Sequence, residues 1–279
     1  MKGTIFSALG ELLWYLSGRE DVEFIQYYVN AYKNEAEKDG TVAGAYGPRL
    51  VGGSDGGQLA HVISILREKP STRRAVIQLF DRKDIANKRQ LDVPCTCVLQ
   101  FLIRNDHLDL IAFMRSSDVY LGLSHDIFAF TMLQEMVAVD LGVSLGEYIH
   151  MAGSLHLYEE HLSKSEAFLS EDLMPERPMP EMPTVGHWES IRILLAVEAD
   201  ARTNPCNPDL IYRLTSLDPY WQDLGILIIA FSACKQHGLG REAPQRTLEA
   251  LALIKAHAAT DFYQSFLLRK VDNLRRRLL

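Results

Sequence analysis

Cys95 is the residue best suited to covalent chemistry, and it lies in the stretch PCTCVLQF. The surrounding β-branched and apolar residues are typical of a strand. A cysteine thiolate is a strong nucleophile that can later leave, so it suits a reaction with a covalent intermediate. A single cysteine in a strand is, however, most often a small apolar packing residue. The position alone leaves both interpretations open.

Arginines in two segments could bind a phosphate group. Arg73 and Arg74 form a pair in STRRAV, and Arg115 begins the segment RSSDVYLGLSHDIF. A guanidinium group presents a planar fork of donors that fits a phosphate dianion, such as that of a nucleotide monophosphate. The ordinary alternative for an arginine pair is a solvated surface.

Bulk composition argues against several other functions. The chain has 279 residues, a formal net charge of -7 and a pI of about 5.7, which does not fit a general nucleic-acid or anionic-membrane binder. The cysteines include no CxxC pair and no histidines have zinc-ligand spacing, so we predict no metal site. Few cysteines, no signal peptide and no long apolar run predict a soluble, cytoplasmic protein without a membrane segment.

The candidate residues fall in a region that is predicted to mix helices with strands. Helical periodicity covers residues 3–17, 21–38, 58–69 and about 127–141, and residues 40–57 read as a glycine-rich loop. Strand patterns cover residues 75–80, 93–104, 108–115 and 147–157. Asn105, Asp106 and His107 are predicted to form the hairpin turn between the second and third of these strands.

A change in character after about residue 165 predicts a domain boundary. Prolines cluster between residues 175 and 187, which indicates an extended linker. Beyond it, helical periodicity covers residues 188–199, 207–216, 219–237, 243–258 and 260–277. We therefore predict a catalytic domain over residues 1–175 and a helical domain over residues 188–279, whose role the sequence does not indicate.

Taken in order, these segments resemble the thymidylate synthase family. That family has an ELLWFL-like helix, a YG loop, an SRR segment, a PC strand ending in QF, an RS-x-D-x-x-LG loop and a G-x-x-H-x-Y strand. The corresponding segments here are ELLWYLSG, AYGPRL, STRRAV, PCTCVLQF, RSSDVYLGLSHDIF and GSLHLYEEH. The (deoxy)cytidylate 5-hydroxymethylases share this frame. The resemblance implies an α+β fold with a mixed twisted sheet and flanking helices, followed here by a C-terminal all-helical extension.

The resemblance implies a role for each reactive side chain. Cys95 would add to C6 of a pyrimidine so that C5 can attack a one-carbon donor, whereas Cys97 keeps a packing role. Glu11 would move protons through a water molecule that Tyr46 helps to order. Burial in an apolar helix would raise the pKa of Glu11 toward neutrality, as proton transfer requires.

The family frame also implies how the nucleotide and the folate are bound. Arg115 and Ser116 would hold the phosphate from the same subunit, while Arg73 and Arg74 would reach it from the partner subunit of a homodimer. The remaining assignments are His156 and Tyr158 for the sugar hydroxyl, and Asp118 and Gly122 for the cosubstrate 5,10-methylenetetrahydrofolate.

Asp126 departs from the thymidylate synthase pattern, which has asparagine there, and matches the hydroxymethylases. Cytosine presents an amino donor at C4 and a bare acceptor at N3, the reverse of uracil, and an acid can match it. A site built for one pattern leaves unpaired groups with the other base, at roughly 1–3 kcal/mol each. We therefore expect CMP or dCMP as substrate. The alternatives for Asp126 are neutral drift and a helix N-cap before Ile127.

Other departures bear on the reaction. Mostly helical residues stand where thymidylate synthases have a short apolar tail that closes over the folate, and a less sealed site suits water as the final nucleophile. His125 replaces a family phenylalanine and is open to three interpretations: relay group, packing residue or surface residue. The predicted activity is cytidylate 5-hydroxymethylation. The alternatives are methylation of dUMP by a thymidylate synthase, and a catalytically inert nucleotide-binding member.

Overall fold

The computed structural model of the chain describes residues 5–54, 56–170, 178–205, 207–236, 256–264, 266 and 268. The chain separates into two compact units, Met1–Met174 and Pro175–Leu279. Each unit is described by itself.

The N-terminal unit combines helices with a small sheet. Its elements in chain order are α1 (Ile5–Leu16), α2 (Val22–Tyr28), α3 (Gly47–Val51), α4 (Gly57–Glu68), β1 (Val76–Gln78), α5 (Arg82–Ala86), β2 (Thr96–Arg104), β3 (His107–Met114), β4 (Ser117–Asp118), α6 (Leu123–Leu141), β5 (Ser144–Ala152), β6 (Leu155–His156) and α7 (Leu162–Leu169). Short 3-10 helices cover Asn30–Asn34 and Glu159–His161. These elements confirm the predicted α+β class.

The main sheet is mixed, as predicted, with strand order β1-β2-β3-β5. Strand β2 is antiparallel to β1 and β3, whereas β5 runs parallel to β3. The predicted hairpin is confirmed: Asn105 and Asp106 have φ values of 50° and 60°, as the two central residues of a type I′ turn require. Helix α6 connects β3 to β5 and packs on both, and α1 packs on α6.

The two faces of this sheet lie in different environments. On the inner face, Leu99, Phe101 and Leu110 are completely buried. The outer face carries apolar side chains that remain exposed, namely Val76, Phe113, Leu145, Ile149 and Met151. An exposed apolar face of this kind is available for contact with another protein.

Helix α1 is mostly apolar and is correspondingly buried. Gly10 lets α2 approach it closely, because a Cβ there would lie 2.1 Å from Cγ of Tyr28. The predicted stop at Gly18 is confirmed, since that residue follows the helix with a φ of 69°. Glu11 therefore projects from the middle of a buried helix.

The single helix predicted over residues 21–38 is wrong. Helix α2 ends at Tyr28, because Val29 takes an extended conformation with a φ of -126° and a ψ of 91°. The chain then forms the 3-10 helix at Asn30–Asn34, which brings Tyr32 against Trp14 of α1 with ring centroids 5.4 Å apart. The predicted loop over residues 40–57 also contains α3, whose first turn includes Pro48.

The boundaries of the later elements differ from those predicted. The helix predicted from about residue 127 begins at Leu123, with Gly122 as its N-cap. The N-cap interpretation of Asp126 is therefore wrong, since that residue lies inside the first turn. The strand predicted over residues 75–80 is limited to Val76–Gln78, and the one predicted over residues 147–157 is divided into β5 and β6.

The described part of the C-terminal unit is helical. It contains α8 (His187–Thr203), α9 (Pro208–Leu214) and α10 (Pro219–Gln236), close to the predicted ranges. Helix α10 packs on α8 and α9 around completely buried residues such as Leu194, Val197 and Leu227. The helices predicted over residues 243–258 and 260–277 lie largely outside the described residues.

Candidate active site

A pocket of about 140 Å³ lies between α1, the 3-10 helix at Asn30–Asn34, the start of α6 and the segment that enters β2. Residues predicted from the sequence that line it are Glu11, Tyr46, Cys95, Gly122 and Asp126. The lining is completed by Trp14, Tyr15, Tyr32, Gly44, Asp92, Val93 and Pro94. The structure thus brings the predicted nucleophile, proton-transfer group and base-reading residue together.

A larger cavity of about 490 Å³ lies elsewhere, bordered by α3, α4 and α5. Its main charged groups satisfy each other, because Arg49 and Asp84 form two parallel hydrogen bonds of 2.7 and 2.8 Å. None of the predicted catalytic residues lines it. We therefore place the candidate site in the smaller pocket, where the reactive groups are.

Cys95 lies immediately before β2 and is held there through its backbone. Its carbonyl accepts a hydrogen bond of 2.8 Å from the N–H of Arg115, at the end of β3. The neighbouring Thr96 is completely buried, and both its N and its Oγ1 lie 2.9 Å from the hydroxyl of Tyr46. Tyr46 therefore fixes the chain next to the thiol, in addition to lining the pocket.

A β-bulge at Cys97 interrupts the alternation of β2. Thr96 and Val98 pair with successive residues of β3, so Cys97 has no partner residue in that ladder. Its carbonyl accepts a hydrogen bond of 2.9 Å from the N–H of Leu79. Simple alternation along a strand would place Cys97 on the same face as Cys95, but the bulge interrupts that alternation, and of the two only Cys95 lines the pocket.

The side chain of Arg115 wraps around the segment that carries the thiol. Its Nε donates to the carbonyl of Pro94 and its Nη2 to the carbonyl of Val93, both at 2.9 Å. Nη2 also lies 3.8 Å from Sγ of Cys95. The guanidinium group thus places a positive charge beside the sulfur while it remains largely exposed to an approaching anion.

The resting thiol of Cys95 is nevertheless not activated. Burial raises its pKa; the charge of Arg115 opposes that rise, while the nearby Asp126 and Asp92 add to it. The pKa therefore lies above its ordinary value. The lowering of this pKa by Arg115 is thus outweighed by the contributions that raise it.

Glu11 is held by hydrogen bonds from three directions. The hydroxyl of Tyr32 donates to its Oε1 at 2.7 Å, and Nδ1 of His125 lies 2.8 Å from its Oε2. Burial raises the pKa of this carboxyl, but the bonds from His125, Tyr32 and Tyr15 and the charge of the imidazole hold it below its ordinary value. The predicted upward shift is wrong, because the sequence showed an apolar helix and not these partners.

Asp126 shows the opposite shift. Its carboxyl is buried in the pocket wall, and burial together with the charge of Glu11 raises its pKa well above the ordinary value. When this carboxyl holds a proton, it presents a donor and an acceptor side by side.

Asp92 also belongs to the pocket, although the sequence analysis did not single it out. Burial and the charge of Glu35 raise the pKa of its carboxyl to about 6. Gly44 makes room for it, because a Cβ there would lie 2.2 Å from Oδ2 of Asp92. The available signal was an acidic residue in LDVPC, just before the cysteine within an otherwise apolar strand entry.

The RSSD segment and the later histidine are adjacent, but they do not line this pocket. Strands β4 and β6 pair in parallel, which sets Asp118 opposite His156. The rings of His156 and Tyr158 meet edge to face with centroids 5.0 Å apart. Tyr158 lies beyond the end of β6, so strand alternation does not determine how its ring lies relative to that of His156. Ser116 lies partly buried directly before β4.

Arg73 and Arg74 are exposed and lie next to the outer face of the sheet. The carbonyl of Arg73 accepts a hydrogen bond of 3.1 Å from Nε2 of Gln100, a residue of β2. Neither arginine lines the pocket of its own subunit.

Neither a candidate metal cluster nor a helix that could span a membrane occurs among the described residues. They contain no cluster of three or more histidine, cysteine and acidic side chains that could hold a metal ion. None of their helices has the length and apolar character that crossing a bilayer demands.

Fold and pocket together define a class of protein: a mixed sheet covered by helices, with a cysteine-containing pocket at the strand entry. Residues 2–193 match the family model described as thymidylate synthase, so the chain belongs to the thymidylate synthase family. A similar solved structure is thermostable thymidylate synthase A from Bacillus subtilis, with 27% identity and a TM-score of 0.53. That match covers 60% of this chain and 62% of the Bacillus chain.

Proposed function

We propose that this protein is a one-carbon transferase that hydroxymethylates C5 of CMP or dCMP, with 5,10-methylenetetrahydrofolate as cosubstrate. The observation that carries the proposal is the convergence of Cys95, Glu11 and Asp126 on one pocket, with the guanidinium of Arg115 at the thiol. Family membership supports the reaction class, and the pocket supports the finer assignment.

In this proposal Cys95 bonds to C6 of the pyrimidine. The C5–C6 double bond opens, and its electron pair makes C5 nucleophilic toward a one-carbon unit. Arg115 stabilises the negative charge of the thiolate and of the incoming phosphate. Glu11, ionised in the resting pocket, accepts the C5 proton once the new carbon–carbon bond has formed.

Cytosine is the favoured base because Asp126 is an acid with a raised pKa, and an acid can give its proton to N3. A neutral carboxyl accepts from the C4 amino group through one oxygen and shares its proton with N3 through the other. N3 of cytosine is a free base that can take part in such sharing, whereas N3 of uracil already holds a proton. Loss of the C5 proton would expel tetrahydrofolate from the exocyclic carbon, and water would add to that carbon. The C5–C6 double bond would then re-form as the sulfur of Cys95 leaves C6.

The residues proposed for the folate fit a polar heterocycle. Oδ1 of Asp118 accepts hydrogen bonds of 2.7 and 2.6 Å from the backbone of Tyr120 and Leu121. Its Oδ2 is buried and finds no partner among the described residues, so it could accept from a ring N–H. Gly122 borders the pocket nearby. The bound cosubstrate would supply the one-carbon unit.

We further propose that the enzyme is a cytoplasmic homodimer, joined through the outer face of the sheet. Exposed apolar residues such as Phe113, Ile149 and Met151 would be covered there. Arg73 and Arg74 lie beside that face, from which they can reach the phosphate bound by the partner subunit. His156 and Tyr158 would contact the sugar.

Methylation of dUMP is the second candidate. The observation in its favour is the raised pKa of Asp126, since a protonated carboxyl offers a donor next to an acceptor, as an asparagine does, and so could also pair with uracil. The two candidates differ in the mass of the product.

The decisive experiment incubates the protein with CMP, dCMP, UMP and dUMP, each with methylenetetrahydrofolate, and weighs the products. We expect a hydroxymethyl group on a cytosine nucleotide. Release of tritium from C5 without folate tests the nucleophile by itself. Cys95→Ser should reduce it by at least about 10³-fold, whereas the control Cys97→Ser should retain it. No exchange with any nucleotide would identify the protein as an inert binding member.

A further inference from the structure

A chain of hydrogen bonds links Glu11 to His125, a histidine to which the proposed function gives no role. Nδ1 of His125 lies 2.8 Å from Oε2 of Glu11, and Nε2 of His125 lies 3.1 Å from Oγ of Ser7. His125 is 8% exposed and Glu11 is 7% exposed, so water competes little for either group. The imidazole is therefore fixed at both nitrogens and aimed at the carboxylate.

Other ionisable groups face the same small volume. Tyr15 and Tyr32 approach Glu11 from α1 and from the 3-10 helix, and both contribute to holding it ionised. The charge of Glu11 in turn raises the pKa of Asp126, which follows His125 in α6. Tyr46 and Asp92 also line this pocket.

Two buried carboxyl groups so close together cannot both ionise at low cost, so something must decide which one carries the charge. His125 bonds to Glu11, and no hydrogen bond joins it to Asp126 among the described residues. Of the three side chains that bond to Glu11, His125 lowers the pKa of this carboxyl most, and Tyr32 and Tyr15 contribute less.

We propose that His125 is a positioning residue that divides the proton-handling roles between two neighbouring carboxyl groups, keeping Glu11 as the base and thereby leaving Asp126 as the acid. The catalytic consequence of this role of His125 depends on the proposed function. The division of charge itself is a property of the pocket and can be measured without turnover.

The direct test is an NMR pH titration of the protein with ¹³C-labelled side-chain carboxyl groups. Signals of Glu11 and Asp126 are assigned with Glu11→Gln and Asp126→Asn. In His125→Phe, the phenyl ring fills the space but cannot donate a hydrogen bond, so the titration midpoint of the Glu11 carboxyl should rise by about 1–2 pH units. The gap between the two midpoints should narrow accordingly. Equal midpoints for Glu11 in wild type and His125→Phe would overturn the proposal.

Two further variants keep the test sharp. His125→Asn retains a donor near the position of Nδ1 but no imidazole, so it should shift the Glu11 midpoint by less than His125→Phe does. It also supplies the comparison if the phenylalanine variant does not fold. His61→Phe makes the same chemical change at an exposed position of α4 and should leave both midpoints unchanged.

The catalytic readout is the pH profile of C5 tritium exchange. In His125→Phe its acidic limb should move to higher pH by the same amount as the Glu11 midpoint, since exchange requires the ionised carboxyl. A simple packing role would lower the melting temperature but leave the limb in place. If the midpoints shift and the wild type shows no exchange, the proposed function fails and the inference about His125 stands.

Discussion

At the scale of single residues, the pocket sets a thiol among carboxyl groups that are held in different protonation states. Hydrogen bonds hold the pKa of Glu11 below its ordinary value, burial and the charge of Glu11 raise the pKa of Asp126, and burial raises the pKa of Asp92 to about 6. A site with this distribution can accept one proton and share another at neutral pH.

Asp92 should make stability depend on pH. Its native pKa of about 6 exceeds the ordinary 3.8, so the folded protein binds this proton more tightly than the unfolded chain does. The resulting stabilisation is present below about pH 4 and is lost as the pH rises through about 6. Asp92→Asn should therefore raise the free energy of unfolding by about 1–3 kcal/mol at pH ~8 and change it little at pH ~4.

Urea unfolding at the two pH values measures this effect. Asp106→Asn is the matched control, because it makes the same change in an exposed turn where asparagine also adopts positive φ readily. A gain that is equal at both pH values would show that Asp92 is not the titrating group.

Asp126→Asn should move the base preference from cytosine toward uracil. An amide cannot share a proton with N3 of cytosine, and it matches N3–H and O4 of uracil instead. The expected change in the ratio of kcat/KM values is about 10- to 100-fold, equivalent to one or two mispaired groups. The same ratio in the variant and the wild type would remove the base-reading role from Asp126.

At the scale of elements, the parts read correctly from the sequence are those with strong local signals. The apolar run of α1 with Gly18, and the Asn105–Asp106 turn between β2 and β3, depend on local chemistry alone. Tyr32 and Asp92 were missed because their functional contacts come from other elements. The interruption of the helix after Tyr28 brings Tyr32 to Glu11, and the absence of a side chain at Gly44 leaves room for Asp92.

Arg49 connects the elements around the loop that holds Tyr46. Its two guanidinium nitrogens bind Asp84, and they also donate to the carbonyls of Leu79 and Ala43. Burial raises the pKa of Asp84, but the bonds from Arg49 outweigh this and leave it below the ordinary value. The pair therefore stabilises the fold above about pH 4 and loses that contribution as the carboxylate is protonated.

Arg49→Ala should lower the free energy of unfolding by about 3 kcal/mol at neutral pH, because Asp84 would remain buried without its counter-charge. The loss should be smaller near pH ~3, because the uncompensated carboxyl of Asp84 in the variant can then be neutralised by a proton. Thermal or urea unfolding at the two pH values measures it. The double variant Arg49→Met with Asp84→Leu should recover most of the stability at neutral pH; if it does not, the ion pair is not the cause.

At the scale of the whole molecule, the outer sheet face and the two exposed arginines both bear on how two subunits would associate. Apolar side chains on β1, β3 and β5 leave that surface uncovered in one subunit, and Arg73 lies beside it. A two-fold dimer formed there would place each arginine pair on the far side of the interface.

Mixing two inactive variants tests this arrangement. Cys95→Ser removes the nucleophile, and the double change Arg73→Ala with Arg74→Ala removes the proposed clamp. If the arginines act across the interface, refolding an equal mixture should restore roughly a quarter of the wild-type active sites. No recovery, while size-exclusion chromatography shows dimers, would place the arginines outside the site.

The bulge at Cys97 also has a consequence for purified material. Because side chains alternate along a strand, a shift of β2 by one residue would move each of its side chains to the opposite face of the sheet. The segment that carries the sulfur of Cys95 would be reoriented with it. Because the bulge fits only one alignment with β3, a sample should not contain folded molecules with the thiol facing outward. The number of Cys95 thiols that react as the mechanism requires should therefore equal the number of folded chains. Specific activity should then measure the refolding yield directly.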